Sequence, residues 1–121
     1  MTRSVFPVLL LLSSCARSDP RRNLVEMKAR ATRLAAVATT DGIDRAEASA
    51  IAEAYFVMDV GWGCGAVGDP VRETGGWRFP LLFGVSAKPN GSVLVDSVSG
   101  GAGRFPNVVA LSKAMQDLAT P

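Results

Sequence analysis

The spacing of the apolar residues changes at the glycine-rich segment 61–65, and this change constrains the fold more than any other feature. Before it, apolar residues recur every three or four positions, which is the period of an amphipathic helix. After it, they occur in short runs separated by glycine and proline turns, a pattern typical of β-strands. The chain should therefore form helices first and a sheet afterwards.

Two helices are predicted in the first half. The first begins after the N-cap Asn23 and ends near Ala38, where turn residues follow. The second begins after Asp44, which has Glu47 three residues later in the pattern of a capping box, and Ile43 is placed to act as a hydrophobic staple. The apolar faces contain Leu24, Met27, Ala31, Leu34, Ala35 and Ala38 in the first helix and Ala48, Ile51, Ala52, Tyr55, Phe56 and Met58 in the second.

Three strands are predicted in the second half, over residues 66–71, 77–85 and 92–98. Pro80 marks a bulge or an edge in the middle strand. The sequence Lys88-Pro89-Asn90-Gly91 predicts a tight hairpin turn, because Asn-Gly tolerates the positive φ angles of such a turn. A closing helix with Pro106 near its first turn is predicted from the spacing of Val108, Leu111, Met115 and Leu118.

The predicted fold class is α+β, with N-terminal helices packed on a three- to four-stranded antiparallel meander that is followed by a C-terminal helix. Residues 23–121 form this single small domain. Val93 and Val95 share one face of the last strand, and the second helix is expected to cover one face of the sheet. Trp77 alternates with Phe79 and is therefore predicted to belong to the core.

Residues 1–14 have the organisation of an export signal. A basic residue and the α-amino group precede the apolar run 5–12, which is too short to span a bilayer as a helix. The tetrapeptide Leu12-Ser13-Ser14-Cys15 that follows resembles a bacterial lipobox. This resemblance implies cleavage before Cys15 and attachment of a diacylglycerol to its thiol. Residues 15–22 would then be a lipidated cysteine and a polar tether.

Other interpretations of this segment stay open. Ser14-Cys15-Ala16 also fits ordinary secretion with cleavage after Ala16, and the segment could instead remain uncleaved. A disulfide between Cys15 and Cys64 is a further alternative. If Cys15 is lipidated, Cys64 is a lone thiol whose simplest role is that of a small buried hydrophobic side chain. Because Ala16 rather than aspartate follows the cysteine, the outer membrane is favoured over the inner one.

Three stretches of the chain are similar to known bacterial modules: "DRAEASAIAEAYF" at 44–56, "GGWRF" at 75–79 and "SVLVDSVSG" at 92–100. An alanine-rich helix, a strand with a central tryptophan and a last strand of the form V-x-V-D-x-x-x-G resemble NTF2-fold immunity domains and PepSY-like domains, whose cystatin-like sheets curl around a helix. The resemblance covers residues 44–100. It implies a non-catalytic domain that binds and blocks a partner protein or serves as an extracytoplasmic accessory domain. The "GWGCG" segment and the closing helix depart from both families.

The segment "GWGCGAVGD" at 61–69 has two interpretations. It lacks the GxxxxGK[ST] signature, so it is not predicted to bind phosphate. Under the first interpretation it is a turn that its glycines permit, with Trp62 folded over it. Under the second, Trp62, Gly63 and Gly65 form a partner-binding site, in which the glycines admit the partner close to the backbone and Trp62 anchors it.

The charged residues exclude several classes of function. The chain has no histidine, so a Cys–His nucleophile is excluded, and no acid–base pair is apparent. Asp59, Asp69 and Glu73 either bind a cation or are solvated, and Asp96 either caps the turn 97–100 or acts as a catalytic acid. With 13 basic and 11 acidic residues and no long basic run, the chain is not expected to bind nucleic acid. We expect no catalytic residues, no cofactor and no metal.

The sequence as a whole predicts a lipoprotein of the bacterial cell envelope, facing the periplasm or exposed at the surface. It would contact the membrane through lipidated Cys15 and bind a protein partner through its domain, with an immunity or inhibitor role as the most concrete form. The alternative is a periplasmic carrier that holds a small apolar molecule between helix and sheet. A metal-dependent enzyme would need Asp59, Asp69, Glu73 and Asp96 to converge.

Overall fold

The structure of the protein is a computed structural model that describes residues 24–37, 39–60, 65–83 and 88–120. The predicted export signal and tether, Cys15 included, lie outside the described residues. So do Asn23 and Ala38 at the ends of the first predicted helix, and Trp62, Gly63 and Cys64 of the glycine-rich segment.

The element order predicted from the sequence is confirmed, and the fold is α+β with an antiparallel sheet of four strands. The helices are α1 (Leu24–Ala35), α2 (Arg45–Tyr55) and α3 (Val108–Ala119), and α2 continues into a π-helical turn (Phe56–Val60). The strands are β1 (Ala66–Val67), β2 (Val71–Glu73), β3 (Gly76–Phe83) and β4 (Lys88–Asp96).

Strand β3 is the centre of the sheet. Both β1 and β2 pair with one of its edges and β4 pairs with the other, always antiparallel. The prediction of one first strand over residues 66–71 is therefore wrong, because two short strands occupy that edge. The interruption lies opposite Pro80, whose carbonyl accepts a hydrogen bond of 2.9 Å from the Gly68 N–H. In a strand, the N–H and C=O groups of one residue point towards the same neighbouring strand. The N–H that proline lacks would therefore face the interruption between β1 and β2.

The hairpin turn predicted at Lys88-Pro89-Asn90-Gly91 is also wrong. These residues belong to β4, where Lys88 pairs with Phe83 and Pro89 with Leu82. Gly91 has φ +88° and lies where the register of the β3–β4 pair shifts by one residue, between Pro80 and Leu82. The Asn-Gly pair therefore supplies its positive φ to a β-bulge rather than to a turn. The predicted irregularity at Pro80 is confirmed by this register shift.

The start of α2 has the predicted capping box. The carboxylate of Asp44 accepts a 2.8 Å hydrogen bond from the Glu47 N–H, and the Glu47 carboxylate accepts one of 3.0 Å from the Asp44 N–H. Ile43, the predicted staple residue, is buried, and its N–H donates to the carbonyl of Ser97 at 2.8 Å. The sequence therefore determined this helix start down to its hydrogen bonds.

The core lies between α2 and one face of the sheet and continues between α1 and α3. Of the predicted helix faces, Leu24, Ala35 and Leu118 are exposed, and α1 ends at Ala35 rather than near Ala38. The fully buried side chains are Met27, Leu34, Ile51, Phe79, Val95, Val108, Leu111 and Met115. Ser112 is buried in the contact between α1 and α3, where its hydroxyl donates to the Ala31 carbonyl at 3.0 Å.

Candidate functional site

The predicted partner-binding segment ends at Gly65, which packs against side chains of the core. Gly65 is the one predicted partner-binding residue that the structure describes. A Cβ atom at Gly65 would clash with the ring of Phe56 and approach the Leu82 carbonyl. Phe56 in turn packs against Phe83, with 5.7 Å between the ring centroids. Packing inside the domain therefore already requires a glycine at position 65, whether or not a partner also approaches it.

The residues just before the same segment also make contacts inside the domain. Asp59, in the π-helical turn, accepts two hydrogen bonds from Arg104, from Nε at 2.7 Å and from Nη2 at 2.9 Å. The hydrogen bonds to Asp59 raise the pKa of Arg104 further above its ordinary value. The Arg104 guanidinium also lies 4.2 Å from the ring centroid of Phe105. Segment 61–64 thus starts from a turn that a bidentate ion pair fixes to the loop 100–105.

The loop 100–105 packs tightly on the end of α2. Gly103 has φ +57°, and a Cβ there would clash with the ring of Tyr55. Ala102 forms single antiparallel bridges with Val95 of β4 and with Phe105. The glycine-rich loop after β4 therefore packs on the end of α2, and the Asp59–Arg104 pair joins it to the π-helical turn that precedes segment 61–64.

The four carboxylates considered as metal ligands or acids each have a separate partner. Asp59 binds Arg104, Asp69 lies 3.8 Å from Arg45, and Glu73 Oε2 lies 2.6 Å from Arg78 Nε. Asp96 accepts hydrogen bonds from the backbone N–H groups of Val98 and Ser99, at 2.7 and 2.9 Å. Within the part of the chain that the structure describes, no three His, Cys, Asp or Glu residues are placed to share a metal ion.

The predicted turn-capping role of Asp96 is therefore confirmed, and its environment alters its acidity. The backbone N–H of Ser99 and then that of Val98 stabilise the charged carboxylate and hold the pKa of Asp96 below its ordinary value. Asp59 lies in the π-helical turn at the end of α2, where its carboxylate is paired with Arg104.

The face of the sheet turned away from α2 carries a second set of side chains with binding potential. Arg78 lies in its centre, flanked by Val71 on β2 and Leu94 on β4, with which it forms one cross-strand row. Val71 is 63 % exposed, and Arg78 and Leu94 are half-buried. No helix in the described ranges lies over this outer face, which we define by Val71, Arg78, Pro80, Leu82, Ser92 and Leu94.

Arg78 is fixed in place without using all its donors. Its Nε donates to Glu73 at 2.6 Å and its Nη1 donates to the Ser92 hydroxyl at 3.1 Å. A guanidinium has five N–H donors, so three are not used by residues that the structure describes. An oriented arginine surrounded by apolar side chains is typical of residues that dominate protein interfaces. Arg78 was not among the predicted partner-binding residues, although its alternation with Trp77 and Phe79 already placed it on the outward side of its strand.

The opposite face of the sheet packs against α2. Ile51 of α2 and Phe79 and Val95 of the sheet are all 0 % exposed, so these side chains belong to the core between helix and sheet. Trp77 packs against this core, as predicted, and its Nε1–H donates to the Ile43 carbonyl at 3.1 Å. Arg72 covers the tryptophan ring, with its guanidinium carbon 5.0 Å from the ring centroid.

A small pocket lies between α1 and α2. Its volume is ≈ 30 Å³, and it is lined by Arg30, Arg33, Leu34, Ala50 and Glu53. Arg30 lies 3.4 Å from Glu26 and 3.9 Å from Glu53. A pocket of this size has room for about one or two water molecules, and its charged walls do not suit an apolar molecule.

Comparison with protein-family models, with curated proteins and with solved structures finds no match for this chain. Among residues 24–37, 39–60, 65–83 and 88–120, no helix has both the length and the apolar character needed to cross a bilayer.

Proposed function

We propose that the chain is an envelope lipoprotein, anchored through Cys15, whose α+β domain works by binding a protein partner. The observation that carries this proposal is the outer face of the sheet, where Arg78 lies oriented between Val71 and Leu94. The partner would offer a carboxylate to the free donors of Arg78 and apolar groups to its two neighbours. Trp62, Gly63 and Gly65 would add further contacts with the same partner.

The residues on either side of segment 61–64 are held by contacts within the domain, by the Asp59–Arg104 pair before it and by the Phe56–Gly65 contact after it. We propose Trp62 as the anchor residue of this segment, because tryptophan is enriched among the residues that dominate binding at protein interfaces. The arrangement of one helix across an antiparallel sheet also supports kinship with NTF2-fold immunity and PepSY-like modules, which we include in the proposal.

Protein binding is preferred to ligand carriage because of how the inner face of the sheet is packed. A carrier of the predicted kind needs an apolar cavity between α2 and the sheet, whereas Ile51, Phe79 and Val95 on the two sides of this contact are fully buried core residues. We likewise assign the domain a non-catalytic role, since the four candidate carboxylates do not converge: Asp59 and Glu73 pair with separate arginines, Asp96 caps a turn, and Asp69 is exposed to solvent.

Site-specific crosslinking in cells tests the binding surface. A photoreactive amino acid replaces Val71 on the outer face and, as a matched control, Val109, an exposed valine on α3. We expect one discrete crosslinked protein from position 71, none from position 109, and loss of the product when Arg78→Glu is added. Equal products from both positions, or no product from position 71, would contradict the proposed surface.

The anchor is tested separately by replacing its attachment point. Cys15→Ser should release the protein from membrane fractions or leave its export signal uncleaved, because a serine hydroxyl does not accept the diacylglycerol. Unchanged processing and unchanged membrane fractionation would show that Cys15 is not lipidated. The immunity form of the proposal further requires that cells making the chain survive a toxin encoded beside it, and that Arg78→Glu removes this protection from a folded protein.

A further inference from the structure

The beginning of α1 presents apolar side chains to solvent at the point where the chain enters the domain. Val25 is 81 % exposed and Leu24 is 45 % exposed. Both lie in the first turn of α1, whose buried side is formed by Met27, Ala31 and Leu34. Val25 points away from that buried side, so nothing in the described core accounts for an apolar residue at this position.

The distance to the proposed anchor is short. Eight residues, 16–23, separate Cys15 from Leu24, and a fully extended chain of that length reaches about 30 Å. A linker of a few residues gives the group that it joins an effective concentration in the millimolar range at its target. A bilayer that holds Cys15 is therefore the surface that the first turn of α1 meets most often.

The charges around this turn also suit an anionic membrane surface. Arg21 and Arg22 precede it in the sequence, and Lys28 is exposed one turn further along α1. The acidic residue of the first turn, Glu26, lies 3.4 Å from Arg30 and 3.5 Å from Arg33, so its charge is matched by two cations. Basic groups beside apolar side chains are the combination that binds the interfacial region of anionic bilayers.

We infer that the first turn of α1 is a membrane-contact site, in which Leu24 and Val25 enter the headgroup region of a phospholipid bilayer and Lys28 pairs with lipid phosphates. This inference rests on the anchoring part of the proposed function. It would fix the orientation of the domain, with the start of α1 against the lipid.

The chain offers a matched control position for the test. Val98 is 72 % exposed and follows Ser97, whose carbonyl accepts from the Ile43 N–H before the start of α2. The contact between Arg30 of α1 and Glu53 joins α1 to the other end of α2. Val98 therefore lies near the start of α2, at the opposite end from this contact with α1.

The experiment uses the mature lipidated protein in vesicles of phosphatidylcholine, alone or with phosphatidylglycerol. In a Cys64→Ala background, Val25→Cys or Val98→Cys carries an environment-sensitive thiol fluorophore, and lipidated Cys15 does not react. We expect emission from position 25 to move to shorter wavelength and to be quenched by brominated lipids, and emission from position 98 to do neither. Lys28→Glu should reduce the response at position 25 only in the phosphatidylglycerol vesicles. Equal emission and quenching at the two positions would overturn the inference.

Mass spectrometry of the same samples separates this inference from the anchor. If the protein carries no lipid, the anchoring proposal fails by itself, and positions 25 and 98 are then labelled in a Cys15→Ser, Cys64→Ala background and mixed with the same vesicles. A response at position 25 that is absent at position 98 would still support membrane contact by α1, and no response at either position would overturn it.

Discussion

The two faces of the β3–β4 pair differ although neighbouring residues of the same strands form them. On the inner face, Phe79 and Val95 are fully buried against α2. On the outer face, Arg78 and Leu94 are only half-buried, and no described helix covers them. One face therefore supplies the sheet's part of the apolar core, and substitutions on the other face should cost little stability. This contrast is the reason for proposing the outer face as the binding surface.

The largest expected effect comes from removing the ring at the centre of the inner face. Phe79→Ala should lower the free energy of unfolding by about 3–5 kcal/mol, because it loses apolar burial and leaves a cavity. Urea denaturation followed by circular dichroism measures the change. Arg78→Ala, one residue away on the outer face, is the control and should change stability by no more than about 1 kcal/mol.

A pair of valines tests the same contrast with identical chemistry. Val95→Ala on the inner face should destabilise the domain by about 2 kcal/mol, whereas Val71→Ala on the outer face should remain within about 0.5 kcal/mol. The two midpoints of urea denaturation provide the comparison. Similar losses for both variants would mean that something covers the outer face in solution.

The connection between the inner face and the start of α2 should have a smaller effect. Trp77→Phe keeps an aromatic ring but removes the N–H that donates to the Ile43 carbonyl, so a loss of about 1 kcal/mol is expected. Thermal or urea unfolding measures it. Because the ring environment changes little, Trp77→Phe should leave the hydrogen bond of Ile43 N–H to Ser97 intact, and a collapse of the whole fold would contradict this assignment.

The smallest expected effect concerns the pH dependence of the turn after β4. The folded state lowers the pKa of Asp96 through the N–H groups of Ser99 and Val98. Its stabilising contribution is therefore present above the ordinary pKa of aspartate and is lost as the pH falls through the lower folded-state pKa. Asp96→Asn should flatten this part of the stability curve between neutral and acidic pH. The exposure of Asp96 keeps the effect small, and an unchanged curve in Asp96→Asn would contradict the assignment.

Local signals in the sequence were sufficient for some parts of this structure. The capping box at Asp44 and Glu47 needs only residues three apart, and it was predicted down to its hydrogen bonds. The β4 alternation that buries Val93 and Val95 is likewise a local pattern. The class of the fold followed from the change of period at segment 61–65, because helices and strands place their apolar residues at different intervals.

Other parts depend on contacts that no local pattern contains. An Asn-Gly pair supplies positive φ to a turn and to a bulge alike. Residues 88–91 were therefore predicted to form a turn, whereas they contain a bulge. The split of the first strand depends on Pro80, which lies on a different strand. The ion pair between Asp59 and Arg104 joins residues 45 positions apart. These features arise only when the sheet and the loops are assembled.

The bulge at Gly91 has a consequence for how molecules of this protein meet one another. The free edge of β4 is bridged at one end, where Val95 pairs with Ala102, and is interrupted at the other by the bulge and by Pro89, which has no N–H to offer. Too little regular edge remains for a strand of a second molecule to extend the sheet. Many copies crowded together should therefore resist joining into fibrils through this edge.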